Sequence, residues 1–539
     1  MGIPSYFAFI IKNYPQIIQK KILYTIDNLY LDSNSIVYDS VYSLEYKNND
    51  YEFELEVIKR VCNIIDSYCT SIQPKKVFIT FDGVAPIAKL NQQKSRRYKS
   101  WFTNEMEKKI KNETYNKKLK WNTSAITPGT QFMNKLNTMV YNYFIKNKNT
   151  IHKNIVFEFS GSDKHGEGEH KIFDKIRNEP EYHANTHTLV YGLDADLIML
   201  CLHHIHLCKS LNLYRETPHF IKQLDSSLDP DETYVLSNTL LSEKIVSTMS
   251  SKNIVNYNDL IHDYIFICFL LGNDFMPHHP AYNIRHSGIH VLLDVYKYLH
   301  DKDKRFILTK NNTIQWNNVR KYIQLLSEQE ENLFQEEHNK KNKQENRYIP
   351  NKTEEERWEK FQITPCFERS EEHFINPNEI GWDIRYYKTL FDINNDEERI
   401  KQICFNYLEA LEWTFTYYTS GCKDWTWKYQ YKYAPLFKDL IKYIPYFDSE
   451  LLETKTPQPI NSIVQLAYVL PTTSYNLLPQ NVVNILNNHF EVNGPYEMSW
   501  AYTKYFFETH IEFPDMDINK LSNLIGANYT FEYLSSHKI

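Results

Sequence analysis

Roughly the first 300 residues of the chain alternate short apolar runs with segments of helical periodicity. Four of the runs are rich in β-branched and aromatic residues and end in Asp or Ser: NLYLD (28–32), KVFITFD (76–82), NIVFEFS (154–160) and TLVYGLD (188–194). Nearly continuous apolar strands that alternate with helices are typical of a parallel sheet covered by helices. The pattern therefore predicts an α/β fold with a parallel sheet for this part of the chain.

The hydrophobic pattern changes after residue 310. A stretch from about 325 to 360 is highly charged and has few apolar anchors, which is typical of a solvated helix or an inserted segment. Long amphipathic helices follow, and Gly421 marks a predicted helix end. We therefore divide the chain into an N-terminal core (1–310), a charged helical insertion (311–380), a helical and aromatic-rich second core segment (381–500) and an unassigned C-terminal extension (501–539).

Composition excludes several classes of protein. None of the apolar runs in the 539 residues approaches the roughly 20 residues that a membrane helix needs. The eight cysteines are scattered without a C-x-x-C pair, which argues against a zinc site and a disulfide framework. We therefore expect a cytoplasmic protein in a reducing compartment, with a virus-encoded protein in a host cytoplasm as one form of that expectation.

Acidic residues recur where the predicted elements begin or end. Seven carboxylates share this placement: Asp32, Asp82, Glu167, Glu169, Asp194, Asp196 and Asp274. Singly, such an Asp is typical of a turn or a helix N-cap. Together they point to one site, because ligands of an open parallel sheet bind at the carboxyl ends of its strands. Their mutual repulsion calls for hard cations, and two Mg²⁺ or Mn²⁺ ions about 3.5–4 Å apart would support phosphoryl chemistry.

A basic stripe follows one of these acids. The net charge of the chain is −6, yet the segment from Lys89 to Lys120 carries eleven Lys and Arg against three Glu. Within it, one helical face is predicted to present four polar side chains: Lys89, Gln93, Arg96 and Arg97. Such a set can hold a phosphate group. The alternative is a solvated basic face, but the position of the stripe just after Asp82 favours binding.

Six motifs occur in order along the chain: LYLDSN, FDGVAPIAKLNQQKSRRYKS, ITPGTQFM, GEGEHKI, YGLDADLIML and CFLLGNDFMPHHP. With the later segments GCKDWTWKYQYKYAP and AYVLPTTSYNLLP, they resemble the successive motifs of the Xrn-type 5′→3′ exoribonucleases over about residues 1–480. The resemblance implies a PIN-like/flap-nuclease core with a mainly helical second segment. It also implies processive, Mg²⁺-dependent hydrolysis of single-stranded RNA with a 5′-monophosphate to mononucleotides, with Mn²⁺ as a substitute.

The resemblance also implies residue roles. The seven acids would be catalytic metal ligands, and the four residues of the basic stripe would form the 5′-phosphate pocket. Tyr38 stands where the family commonly has His, and would stack on the first base opposite Trp425 or Trp427. Alternation in an extended segment would point both Trp side chains to the same side. The alternative is that Tyr38 and both Trp residues are ordinary packed rings.

The chain departs from the family in two further respects. It has no Cys-rich zinc knuckle, so the nuclear branch is the poorer match, and it ends after the second core segment, which predicts a short member limited to the catalytic core. We expect a monomer that acts after decapping or pyrophosphohydrolase enzymes. Two other functions stay open: a structure-specific flap-type endonuclease that shares the metal core, and a catalytically inactive RNA-binding scaffold.

Overall fold

The central feature of the fold is a seven-stranded sheet. The structure is a computed structural model, and it describes residues 2–3, 5–22, 24–111, 120–146, 152–217, 222, 226–229, 232–250, 257–456, 458–492, 496–514 and 516–528. Its strands are β1 (Ile18–Gln19), β2 (Asn28–Asp32), β3 (Lys76–Thr80), β4 (Val156–Ser160), β5 (His187–Tyr191), β6 (Ser210–Glu216) and β7 (Thr233–Leu236). Their spatial order is β1-β7-β6-β5-β2-β3-β4.

Strands β6, β5, β2, β3 and β4 are adjacent and pair in parallel, whereas β7 pairs antiparallel with β6 and with β1. The register places Tyr30 of β2 beside Phe78 of β3 and Val190 of β5. These three side chains belong to the core on one face of the sheet, and their neighbours along each strand, such as Leu29, belong to the core on the other face. The predicted α/β fold with a buried parallel sheet is confirmed.

Helices cover both faces. In the first 310 residues they are α1 (Tyr6–Asn13), α2 (Asn34–Ser43), α3 (Asp50–Ile72), α4 (Ile87–Ile110), α5 (Gln131–Tyr141), α6 (Gly168–Asn178), α7 (Pro180–His183), α8 (Asp196–His204), α9 (Asn238–Met249), α10 (Tyr257–Phe269) and α11 (Gly288–Lys302). Side chains from α2, α3 and α5 pack on one face, and those from α1, α6, α8 and α10 pack on the other. None of the described helices is both long enough and apolar enough to cross a membrane.

The rest of the chain is mainly helical. Its helices are α12 (Trp316–Glu345), α13 (Glu354–Gln362), α14 (Ser370–Ile375), α15 (Trp382–Phe391), α16 (Glu397–Thr419), α17 (Phe437–Tyr443), α18 (Ser462–Val469), α19 (Gln480–His489) and α20 (Ile518–Asn528). Two short antiparallel ribbons pair β8 (Thr309–Lys310) with β9 (Thr313–Ile314), and β10 (Glu497–Ser499) with β11 (His510–Glu512). Helices α12, α15, α16 and α17 extend the core that also contains α6, α8 and α10.

The charged stretch after residue 325 is less solvated than its composition suggests. Leu326 and Phe334 of α12 are buried in the main core. Glu330 is buried between them and accepts hydrogen bonds from the backbone N–H groups of Phe437 and Lys438, which begin α17. A single acidic side chain thus satisfies a helix N-terminus inside the core. The domain boundaries drawn from the sequence remain predictions.

The C-terminal extension packs against the basic helix α4. Lys99 donates hydrogen bonds from Nζ to the carbonyl oxygens of Phe507 and Thr509, at 2.8 and 3.0 Å. Phe102, one turn further along α4, stacks on Phe506. Residues 529–539 of the extension lie outside the described residues.

Candidate active site

The predicted acids meet at the carboxyl edge of the sheet. Asp32 is the last residue of β2, and Asp82 follows the neighbouring strand β3. Glu167 and Glu169 flank Gly168, where α6 begins. A Cβ atom at Gly168 would lie 2.5 Å from Asp32 Oδ1. A side chain at position 168 would therefore displace the Asp32 carboxylate.

Asp82 is held by two neighbours. Its Oδ2 accepts a 2.6 Å hydrogen bond from Asn34 Nδ2, and its backbone N–H donates to Asn34 Oδ1 at 3.1 Å. Its Oδ1 accepts from the backbone N–H of Gly168 at 2.7 Å. Asn34 was not among the predicted site residues. Its position two residues after Asp32, in LYLDSN, was the available signal.

A lysine ammonium lies among the acids. Lys89 Nζ is 2.6 Å from Glu167 Oε2 and 2.8 Å from Asp274 Oδ2, and the three side chains are almost fully buried. The other oxygen of Glu167 accepts a 2.8 Å hydrogen bond from the hydroxyl of Tyr417, which lies in α16. The predicted phosphate ligand Lys89 thus contacts the metal-ligand candidates. Tyr417 was missed because it is 250 positions away from Glu167.

The electrostatics of the acids reflect their burial. Burial, followed by repulsion from neighbouring carboxylates, raises the pKa of Asp32 well above its ordinary value. Burial likewise raises the pKa of Glu169 against the opposing charge of Lys89, and raises that of Asp196 to about 7. Asp194 and Asp274 are the exceptions, because nearby positive charge that includes the Lys89 ammonium outweighs burial and lowers the pKa of both carboxyl groups, that of Asp274 well below its usual value. Such a cluster gains from added positive charge.

Several site atoms are free to bind a cation. Asp32 Oδ1, Glu169 Oε2 and Asp196 Oδ1 are buried and have no hydrogen-bond partner among the described residues. Glu167, Glu169 and His170 each offer one potential ligand atom, and these atoms all lie within 4.8 Å of one another. Buried carboxylate oxygens are the ligands that hard divalent ions prefer. The residues present therefore fit a metal site. His170 was not predicted, although it directly follows Glu169 in GEGEHKI.

The basic stripe begins at this site and leads away from it along α4. Gln93 is half-buried, and its Oε1 has no partner among the described residues. Arg96 is exposed, and its charge helps to lower the pKa of Asp274. Arg97 is half-buried and donates a 2.7 Å hydrogen bond to Thr127 Oγ1, and burial lowers its pKa to about 10. The helix thus offers one exposed and one anchored guanidinium beside the acids.

The three candidate stacking residues have different surroundings. Tyr38 is half-buried on α2, and its ring stacks on that of Tyr42 with the centroids 6.4 Å apart. Trp425 meets the exposed ring of His165 edge to face at 5.4 Å. Its carbonyl oxygen accepts a hydrogen bond from the backbone N–H of Ile87, the first residue of α4. Both Tyr38 and Trp425 therefore lie close to elements that carry the site.

Trp427 lies instead in the main core, where its ring stacks on that of Trp413 at 5.3 Å. The two Trp side chains thus contact different rings. The chain turns at 425–426, because Asp424 Oδ1 accepts hydrogen bonds from the backbone N–H and the hydroxyl of Thr426. A turn breaks the two-residue alternation of an extended segment. The packing of Trp427 favours a structural role over base stacking.

Comparison with known proteins places the chain in a family. Residues 1–217 match the family model described as the XRN 5′-3′ exonuclease N-terminus, and residues 254–378 and 368–491 match the Xrn1 helical domain. The first match covers six of the seven strands of the sheet and six of the seven acids, and the second covers Asp274 and the helical segment.

Curated relatives agree with these matches. The 5′-3′ exoribonuclease 1 of Homo sapiens is 29% identical over 90% of this chain and 31% of its own length. The 5′-3′ exoribonuclease 2 of Arabidopsis thaliana is 27% identical over 90% of this chain and 63% of its own length. The 5′-3′ exoribonuclease 1 of Saccharomyces cerevisiae is 28% identical over 89% of this chain and 40% of its own length. The chain therefore spans between about a third and just under two thirds of the length of these relatives. With a PIN-like parallel sheet, a helical segment and both family models in order along the chain, the protein belongs to the Xrn family of 5′-3′ exonucleases.

Proposed function

We propose that the protein is a processive 5′→3′ exoribonuclease that hydrolyses single-stranded RNA with a 5′-monophosphate to mononucleotides. The observation that supports this best is the contact of Lys89 with Glu167 and Asp274, which joins the acid cluster to the first turn of the basic helix α4. An acid cluster alone suits many hydrolases. Its junction with a basic helix suits an enzyme that grips a terminal phosphate beside the bond that it cuts.

The proposed cofactor is Mg²⁺, with Mn²⁺ as a substitute and two ions bound. The residues that would hold them are Asp32, Asp82, Glu167, Glu169, Asp194, Asp196 and Asp274. When bound, such ions activate a water and stabilise the leaving oxygen of a phosphodiester. The buried oxygens without partners on Asp32, Glu169 and Asp196 support this assignment.

The chain's own side chains would bind and orient the RNA. Arg96 is exposed and can make charge-assisted hydrogen bonds to a terminal phosphate, while Arg97 is already oriented by Thr127. Tyr38 and Trp425 would stack on bases without reading their sequence. Decapping or pyrophosphohydrolase enzymes leave RNA with the 5′-monophosphate that this arrangement suits, so such enzymes would act upstream.

The decisive experiment follows the fate of the first nucleotide. RNA with a radioactive 5′-monophosphate is incubated with the protein and Mg²⁺. Three forms of the same RNA serve as controls: one with a 5′-hydroxyl, one with a 5′-triphosphate and one closed into a circle. We expect labelled mononucleotide from the first time point, little decay of the three controls, and no decay in EDTA. Labelled oligonucleotides or cleavage of the circle would support the endonuclease instead, and binding without any Mg²⁺-dependent cleavage would support the inactive scaffold.

A further inference from the structure

A column of four aromatic rings connects the second core segment to the acid cluster. Trp427 stacks on Trp413 with centroids 5.3 Å apart, Trp413 stacks on Tyr417 at 4.8 Å, and Tyr417 stacks on His170 at 3.7 Å. The planes of successive rings are within 28° of parallel. Trp413 and Tyr417 belong to α16, whereas His170 belongs to α6, the helix that begins with the acidic pair. The rings therefore join two parts of the chain that are distant in sequence.

The column aims one hydroxyl at one acid. Tyr417 donates its hydrogen bond to Glu167 Oε1 at 2.8 Å, and Lys89 Nζ contacts Oε2 of the same carboxylate at 2.6 Å. Tyr417 is 3% exposed and Glu167 is 4% exposed, so water does not compete for these contacts. Both oxygens of Glu167 are thereby held, and the ring that holds the first is itself fixed between Trp413 and His170.

We propose that Tyr417 is a positioning residue that sets the orientation of Glu167 for binding a divalent cation, and that Trp413 and Trp427 hold Tyr417 in place. This inference rests on the proposed function only in taking the acid cluster as the cation site. Groups that hydrogen-bond to metal ligands typically change metal affinity or activity by about 10–100-fold when they are lost. The second core segment thus contributes to the nuclease site through a hydroxyl rather than through a ligand. It also accounts for Trp427, which the turn at 425–426 directs into the core.

The chain offers a matched control on the same helix. Tyr407 of α16 is fully buried, and its hydroxyl has no hydrogen-bond partner among the described residues. Tyr407→Phe and Tyr417→Phe each remove one buried hydroxyl from α16 and leave the ring. Only the second removes a hydrogen bond to the acid cluster. A difference between the two variants therefore reports on that bond rather than on the loss of a buried oxygen.

The first measurement is the Mn²⁺ affinity of the full chain, determined from the electron paramagnetic resonance signal of free Mn²⁺. Thermal unfolding of each variant shows whether it is folded. We expect Tyr417→Phe to bind Mn²⁺ about 10-fold more weakly than the unaltered protein. Tyr407→Phe should bind as the unaltered protein does. Trp427→Phe, which leaves the Tyr417 hydroxyl intact but shortens the far end of the column, should also bind Mn²⁺ more weakly. Unaltered Mn²⁺ affinity in a folded Tyr417→Phe or Trp427→Phe protein would overturn the proposal.

A double-mutant cycle tests whether Tyr417 acts through Glu167. In a Glu167→Gln background, Tyr417→Phe should cause little further loss of Mn²⁺ affinity, because the carboxylate that it orients is gone. Two independent, additive losses would contradict the inference. RNA decay by the unaltered protein, measured separately, distinguishes this failure from that of the proposed function. Weakened Mn²⁺ binding in Tyr417→Phe supports the inference even if RNA is not degraded.

Discussion

Lys89 Nζ lies 2.6 Å from Glu167 Oε2, with both side chains less than 10% exposed, and the same ammonium lies 2.8 Å from Asp274. One cation thus neutralises two buried acids that come from different helical regions. Removing one partner of a buried ion pair leaves the others as uncompensated charges, which costs about 3–5 kcal/mol. The stability of the metal-free protein should therefore depend on Lys89.

The first prediction concerns that dependence. Lys89→Met should lower the free energy of unfolding in EDTA by about 3 kcal/mol or more, because Glu167 and Asp274 lose their shared cation. Urea unfolding measures the change. Lys108→Met is the control, since Lys108 pairs with Glu105 on the surface and should contribute less than about 1 kcal/mol. Equal stabilities of the two variants would contradict the prediction.

The second prediction concerns the acids near the start of α8. Asp194→Ala and Asp196→Asn should each abolish hydrolysis, because each removes a proposed cation ligand. In EDTA, Asp196→Asn should not lower the melting temperature, because burial and the charge of Asp274 raise the pKa of Asp196 to about 7, and the amide removes that repulsion. Calorimetry and single-turnover RNA decay provide the two measurements. Turnover close to that of the unaltered enzyme in either folded variant would refute the assignment.

The third prediction concerns the terminal phosphate. Arg96→Ala combined with Arg97→Ala should bring the decay rates of 5′-monophosphate and 5′-hydroxyl RNA towards equality, because the charge-assisted hydrogen bonds are lost. Arg96→Ala alone should show most of the effect, since Arg96 is the exposed member of the pair. Lys108→Ala, further along the same helix, should keep the preference. The idea fails if the unaltered enzyme degrades both substrates equally fast.

The fourth prediction concerns base stacking. Tyr38→Ala should shorten processive runs more than Tyr38→Phe or Tyr38→His, because the latter two keep a flat ring and stacking contributes about 1–3 kcal/mol per base. Trp425→Ala should act in the same direction. Product lengths from 5′-phosphorylated RNA, measured with an RNA trap, give the length of each run. Equal defects in Tyr38→Ala and Tyr38→Phe would assign the role to the hydroxyl instead, and normal processivity in Tyr38→Ala would contradict the stacking role.

The fifth prediction concerns acid stability. Burial lowers the pKa of His262 to about 4, and its ring stacks on the buried ring of His203 at 4.1 Å. Because the pKa of His262 is lower in the folded state than in the unfolded chain, its contribution to the free energy of unfolding is complete above pH 6.5 and is lost as the pH falls towards 4. Protonation of His262 alone should lower the free energy of unfolding by about 2 kcal/mol between pH 7.5 and pH 5. Urea unfolding at the two pH values should show a smaller loss for His262→Phe, and an unchanged loss would contradict the prediction.

The sequence predicted four of the seven strands of the sheet (β2, β3, β4 and β5), because their signal is local, and it did not predict β1, β6 and β7. β2 occupies residues 28–32 as expected, since its apolar residues Leu29, Tyr30 and Leu31 form a short run and all five residues of the strand are buried. β3 ends at Thr80 rather than at Asp82, and Asp82 follows it in the loop that leads to α4. The convergence of the acids was also predictable, because parallel strands bring their carboxyl ends to the same edge of a sheet.

The periodic pattern of apolar residues did not predict contacts between segments that are distant in the sequence. Lys89 was assigned to the phosphate pocket from its helical face, and that role stays a prediction. Its contacts with Glu167 and Asp274 depend on where α6 and the loop after α10 pack. Trp427 was grouped with Trp425 by alternation, whereas the structure has a local turn made by Asp424 at 425–426, and the two rings contact different residues.

The sequence by itself determined the α/β sheet, the identity of the acids and the basic face of α4, because each depends on neighbours within a few residues or on one rule of sheet geometry. Only the tertiary structure decided which oxygens of the acids are held and by what. The hydroxyl that holds Glu167 comes from Tyr417, 250 positions away, and the Tyr417 ring is stacked between those of Trp413 and His170. Packing of that kind depends on the shapes of side chains from several helices, and such shapes leave no periodic trace along the chain.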